Sequence, residues 1–198
     1  MGKKLIIKGA DFSAVAVDSL LTLDSIAWDG KTYRDIFETN NLLGITPGFE
    51  NGSYAPLIIN AGNPEVVNTV ADSGQYSLKV FGATSQQLKK PNYYTSLTTY
   101  FLAARVSCTR YTAGKIGVLI GSDGAIATDE TNGFVTIVNA IENSDVNKGV
   151  FVGSAFSANL DGYIDTPVVV ISTYFTNIPG IEQFTQLYSQ YVAIKKGE

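Results

Sequence analysis

Residues 75–82 read QYSLKVFG, a run in which Tyr76, Leu78 and Val80 alternate with Ser77, Lys79 and Phe81. Such alternation belongs to a strand with one face on a core and the other toward water. The flanks repeat the theme. Upstream, APLIINAG (55–62) ends at Gly62-Asn63-Pro64 and EVVNTV (65–70) ends at Asp72-Ser73-Gly74. Downstream, TTYFLAARVSCTRY (98–111) and GKIGVLIGS (114–122) read as a long antiparallel hairpin turned at Thr112-Ala113-Gly114. NGFVTIVNAI, GVFVGSAFSA and GYIDTPVVVISTYF follow, each bounded by Gly, Asn or Asp. About eight short strands with little helix between them predict a mainly β protein, an antiparallel β-sandwich rather than a βαβ fold.

The ends of the chain read differently. Near the N-terminus, KLIIKG and FSAVAV are split by Ala10-Asp11 and are too short to make a sheet alone. They predict an extended arm whose hydrogen bonds are completed elsewhere. In the segment 18–40, Asp29-Gly30 between SIAW and KTY fits a type I′ hairpin turn, YRDIFETNN fits one or two helical turns, and the segment belongs either to the arm or to the sandwich. After Ile178-Pro179-Gly180, apolar Ile181, Phe184, Leu187, Tyr188, Tyr191 and Ile194 recur at spacings of three and four. Lys195 and Lys196 follow, which predicts an amphipathic C-terminal helix. It packs either on the sandwich or on a neighbouring subunit. The organisation expected is therefore 1–40 arm and connector, 41–175 sandwich, 176–198 helix.

Composition narrows the chemistry. Histidine is absent, which rules out Ser-His-Asp and Cys-His catalysis and the commonest zinc ligand. The single Cys108 cannot form an internal disulfide and reads as a small buried hydrophobe, compatible with folding in a reducing cytoplasm. A net charge of -4 without a basic stripe argues against nucleic-acid binding. Charged residues are 16% of the chain against about 25% in average domains, so Ser, Thr, Asn, Gln and Tyr cover the surface. The opening lysines are followed by only a short apolar run before Lys8, which does not make a signal peptide, and no run is long enough to span a membrane. Two-carboxylate hydrolysis needs no histidine. Yet Asp123, Asp129, Glu130, Glu142 and Asp145 sit mostly in GSDGAIATDETNG and ENSDVNKG, which read as solvated turns. With Asp161 they are among the available acids, and the expectation is a protein that is not an enzyme.

Two resemblances add to this. NLLGITPGFENGSYAP (41–56) followed by DSGQYSLKVFG (72–82) resembles the opening of jelly-roll carbohydrate-binding modules, through Gly48, Phe49 and Glu50 and then Ser73, Gly74, Tyr76, Ser77, Leu78, Lys79 and Val80. GYIDTPVVV looks like their closing strand. The resemblance implies a jelly roll over roughly 41–175. It also implies a structural calcium held by Glu50 and Asp165, because a hard cation gathers carboxylate and carbonyl oxygens. A solvent-facing or turn-capping Glu50 is the alternative. Sugar binding needs an exposed aromatic beside amides or charges. The chain has eleven Tyr and one Trp, and KKPNYYTSLTTYF offers Lys89, Asn92, Tyr93 and Tyr94, against plain packing of the tyrosine pair.

Lys4 to Ala14, KLIIKGADFSA, resembles the opening segment of surface and tail-fibre-like proteins of Bacteroidetes and their phages. This implies an attachment arm with Leu5, Ile7, Phe12 and Val15 as anchors. It suggests a phage head-fibre, tail-fibre or capsid-decoration layout: a virion structural protein assembled in the host cytoplasm, docked on a capsid or tail protein, trimeric, and touching host glycans. The alternative is a carbohydrate-binding module protein of a gut bacterium, at the cell surface.

Overall fold

The computed structural model describes residues 21–45, 48–93, 95–142 and 148–197. The anchors Leu5, Ile7, Phe12 and Val15, with Tyr94 and Asp145, lie outside the described residues. Strands β1 (Ile26–Trp28) and β2 (Lys31–Thr32) form a small hairpin. Asp29 and Gly30 both have positive φ there, as a type I′ turn requires. A short π-helical turn covers Asp35–Thr39.

The remaining strands are β3 (Ile58–Ala61), β4 (Glu65–Val67), β5 (Ser77–Val80), β6 (Gln87–Lys89), β7 (Thr99–Ile120), β8 (Asp123–Ala127), β9 (Val135–Glu142) and β10 (Val150–Ile171). They make one eight-stranded antiparallel sheet that folds back on itself as a β-sandwich of the jelly-roll class. The hairpin expected at Thr112-Ala113-Gly114 does not form. β7 runs unbroken for 22 residues, and the two segments 149–158 and 162–175 likewise merge into one 22-residue strand, β10. The pair bends together: Lys115 faces Ala155 and Ala113 faces Asn159, so residues 156–158 bulge out. Gly114 (φ +101) allows the close approach, since a Cβ there would meet Ala158 at 2.6 Å. Bulges of this kind turn a strand from one layer into the other. Signals that resemble a turn in the sequence are therefore the corner of a sandwich.

Through this corner each long strand serves both layers. One layer runs β3, β6, β10, β7, β8, and the other runs β4, β5, β10, β7, β9. Between them lies the main core, including Phe49, Leu78, Val80, Leu88, Leu102, Val118, Val152, Leu160 and Val169. Cys108 belongs to this core, and burial pushes its thiol up to about 11. Asp123–Ala127, read from sequence as a solvated turn, is strand β8, with Ala125 and Ala127 in the core.

The opposite face of the β9-containing layer is also apolar. Phe101, Ala103, Val168 and Val170 alternate with the core residues of their strands, as period-two geometry requires. The helix α1 (Ile181–Gly197) covers them. Phe184 stacks on Phe101 at 4.7 Å between ring centroids, and Tyr191 stacks on Phe37 at 4.8 Å. Leu23, Tyr33, Ile36 and Phe37 join the same cluster, so residues 21–40 pack on the sheet with the helix. No helix among the described residues is long and apolar enough to cross a membrane.

Candidate functional site

Two places concentrate functional chemistry. The first answers why a carboxylate follows a buried Phe at residue 50. Phe49 is in the core with φ +59, beside Gly48 at +86. This left-handed pair turns the chain so that the ring goes inward and Glu50 folds back over the turn. Glu50 Oε2 accepts the Gln75 amide at 3.0 Å, and its Oε1 is buried without a partner among the described residues.

Asp165 comes to the same spot from β10 and is fully buried. Its Oδ2 accepts the amides of Asp72 (2.7 Å) and Ser73 (2.8 Å), and its Oδ1 accepts that of Thr166 (2.6 Å). A Cβ placed on Gly48 would lie 2.6 Å from Glu50 Oε1 and 3.2 Å from Asp165 Oδ1, so both carboxylates converge there. Gly74 (φ +62) faces the Glu50 carboxylate so closely that any side chain would collide with it. Burial pushes the Asp165 carboxyl up to about 7, opposed by the three amide hydrogen bonds, with the nearby Asp72 charge adding to the rise.

The two carboxylates predicted to share a cation are thus brought together, one with an unpaired oxygen, which suits a hard ion. No group of three or more acidic, Cys or His side chains placed to hold a metal ion occurs among the described residues. The remaining ligands of such an ion would be carbonyls or water. Behind the pair, Asp72 is held by Arg105 (2.6 Å) and by Lys196 of α1 (3.0 Å), and Tyr188 of α1 donates to the Thr166 carbonyl at 2.8 Å. No local pattern in the sequence announces this network, because its members are far apart along the chain.

The second place is the outer face of the other layer. Helix α1 and residues 21–40 lie on the β9 side, leaving the face of β3, β6, β10, β7 and β8 with no helix over it among the described residues. Val150, Val152, Val118 and Leu88 point into the core, so Phe151, Leu119 and Lys89 point out. In register, Lys89, Phe151 and Leu119 form one row. The half-buried Phe151 packs on a small cluster of Leu119, Ile126 and Ala155, all three of them buried. The neighbouring row runs Gln87, Gly153, Gly117, Ile126, its middle bare of side chains. At its edge, Asn60 donates to the Gln87 side-chain oxygen at 3.0 Å. One partly exposed aromatic, a strip of glycines and two amides stand side by side.

Of the residues predicted for sugar contact, Lys89 is on this face. Asn92 holds a left-handed turn (φ +53). Tyr93 packs against the main core and its hydroxyl donates to that of Tyr100 at 3.3 Å; burial and that bond push its ionisation above the ordinary range. The neighbours of Lys89 on this face, Phe151, Asn60 and Gln87, are not singled out by the sequence. The alternation in GVFVGSAF carries the signal for Phe151, but only the pairing of β6 with β10 shows that it meets Lys89. Among the acids considered for hydrolysis, Asp161 pairs with Arg110 at 2.7 Å, and Glu130 accepts the Tyr111 amide at 3.2 Å.

No protein-family model matches the chain, and no curated protein matches it. Solved structures similar to it include several carbohydrate-binding modules and an α-L-arabinofuranosidase. The CBM22-1 xylan-binding domain of Paenibacillus barcinonensis Xyn10C is 13% identical, with a TM-score of 0.48 over 63% of this chain and 91% of that one. The C-terminal family 22 module of Clostridium thermocellum Xyn10B is 19% identical, also at 0.48, over 63% and 90%. TmCBM61, solved with β-1,4-galactotriose, is 17% identical at 0.41, over 69% and 98%.

Proposed function

We propose that this chain is a non-catalytic display module that contacts glycans through the open face of the β6–β10–β7–β8 layer, and that residues 4–14 anchor it to a capsid or tail protein in a virion. The observation that carries the glycan reading is the pairing of Lys89 with the partly exposed Phe151 beside Asn60 and Gln87. A pyranose lays its C–H face on an aromatic ring while amides and ammonium groups reach its hydroxyls. The arm reading is supported by the resemblance of Lys4–Ala14 to phage fibre openings, and trimeric assembly goes with it. Bound calcium at Glu50 and Asp165 would serve structure, neutralising a buried carboxylate, and lies apart from this face in our reading.

A glycan array probed with the full chain and with Phe151→Ala tests the glycan reading. Binding that is lost in the variant supports it. Binding that survives in the variant, or no binding by either protein, refutes it. Co-purification of the full chain with capsid or tail proteins from infected cells, abolished when Leu5 and Ile7 become Asp, tests the anchor.

A further inference from the structure

Behind the Glu50–Asp165 pair, a second set of contacts leads to helix α1. Asp165 stands in register with Arg105 and Val168 with Ala103, so Thr166 and Pro167 bulge from β10 opposite Ala104. Thr166 is fully buried and has φ +43. A positive φ is an outlier for a β-branched residue. Pro167 restricts Thr166 further, because the residue before a proline favours extended backbone. A conformation of this kind persists only where its surroundings over-determine it.

Two partners hold the Thr166 peptide. On the sheet side, its amide donates to Asp165 Oδ1 at 2.6 Å, the same oxygen that approaches Gly48 together with the orphaned Glu50 Oε1. On the helix side, the buried Tyr188 hydroxyl donates to the Thr166 carbonyl at 2.8 Å and lies 3.0 Å from Thr166 Oγ1. A second link runs through Asp72, whose amide donates to Asp165 Oδ2 at 2.7 Å and whose carboxylate meets Lys196 Nζ at 3.0 Å. Lys196 follows Tyr188 by eight residues, about 12 Å along the helix axis, so α1 is gripped at two separate points. At each, one residue stands between the helix and Asp165. The Lys196 side chain is 43% exposed, and exposed ion pairs contribute little, which leaves Tyr188 as the stronger link.

From this geometry we infer that helix α1 is part of the cation site: Tyr188 is a positioning residue for Asp165, acting through the Thr166 peptide, and a divalent cation on Glu50 and Asp165 tightens the seating of α1. The inference rests on the calcium reading above. A cation at Oδ1 fixes the Asp165 carboxylate in place, and with it the left-handed Thr166 peptide whose carbonyl is aimed at Tyr188. A helix that releases that carbonyl lets the peptide relax toward extended backbone and withdraws the amide that orients Oδ1. The strained peptide is thus the element that both sites bias. Such coupling is reciprocal: the factor by which the seated helix strengthens cation binding is the factor by which the cation favours the seated helix.

The test is a calorimetric calcium titration of the full chain, wild type and Tyr188→Phe, joined to amide hydrogen exchange of the wild type in EDTA and in saturating calcium. The expected result is about fivefold weaker calcium binding in the variant, with exchange at residues 188–196 of the wild type slowed by about the same factor when calcium is added. A tyrosine that serves packing alone would lower stability in EDTA and leave calcium affinity unchanged. Equal affinity in the two proteins, or α1 exchange that calcium does not slow, overturns the coupling and leaves the calcium reading standing. The exchange comparison needs no variant, so it decides the question even if Tyr188→Phe does not fold. No calcium binding by the wild type overturns both.

Discussion

Asp165 makes the stability of this protein depend on pH in an unusual direction. Its carboxyl is raised from 3.8 to about 7 because the group is buried, so the folded chain holds a proton that the unfolded chain has already released. Stability falls with pH wherever the folded state binds more protons. The contribution of Asp165 is therefore greatest below about pH 4 and is lost progressively up to about pH 7.

A tenfold difference in proton affinity between the folded and unfolded chain corresponds to about 1.4 kcal/mol, so the fall between pH 5 and pH 7 comes to about 2 kcal/mol in the absence of a cation. The chain has no histidine, and the carboxyls of Asp24, Asp29, Asp35 and Asp161 are held below the usual range by their hydrogen bonds. Their stabilisation has the opposite sign: it is present above the unfolded value and lost only as pH falls through the folded one.

Urea unfolding of the wild type at steps between pH 5 and 7.5 in EDTA reads the effect. Asp165→Asn flattens the slope by removing the titrating group, and excess calcium flattens it in the wild type by favouring the ionised form. A wild-type stability in EDTA that is constant or rises across this range would refute the reasoning, whether or not the variant folds.

Three further outcomes follow from the packing. Gly74→Ala forces a side chain into a left-handed position against the Glu50 carboxylate and should cost about 2 kcal/mol or more in urea unfolding. Tyr188→Phe removes a buried hydroxyl that donates to the Thr166 carbonyl, lowering stability by about 1–3 kcal/mol and weakening calcium stabilisation if the helix steadies Asp165. Truncation separates the arm from the fold: a chain starting at Leu21 keeps a cooperative thermal transition, whereas one starting at Asn41 loses Leu23, Tyr33, Ile36 and Phe37 from the helix-side cluster and exposes apolar surface that binds a hydrophobic dye.

The alternation in QYSLKVFG announced β5, and the three-and-four spacing after Gly180 announced α1, because both patterns follow from which side chains must be buried. Residues far apart were less legible. Thr112-Ala113-Gly114 has the composition of a turn, yet the paired bulge at 156–158 converts it to a corner, and no local pattern reports a partner some forty residues away. Likewise β8 is short and partly small-residued, so DGAIA reads as a loop until β7 supplies its hydrogen bonds.

The Glu50–Asp165 pair was reachable through resemblance of the flanking motifs, and its convergence depends on Gly48 and Gly74 leaving room. The tyrosines at 93 and 94 drew attention by being adjacent in sequence, but Tyr93 is tied to Tyr100. The aromatic that stands beside a lysine and two amides is Phe151, which became visible only when the register of β6 on β10 was known.

The central claim, that glycans meet the chain on this sheet face, is tested most directly by amide chemical-shift mapping of the full chain during titration with neutral xylan- and galactan-derived oligosaccharides and with galacturonate oligosaccharides. The account predicts shifts concentrated at residues 58–60, 87–89, 115–119 and 151–156, with the amides of α1 unmoved. Shifts confined to the α1 side, or none with any of these sugars at millimolar concentration, would contradict it.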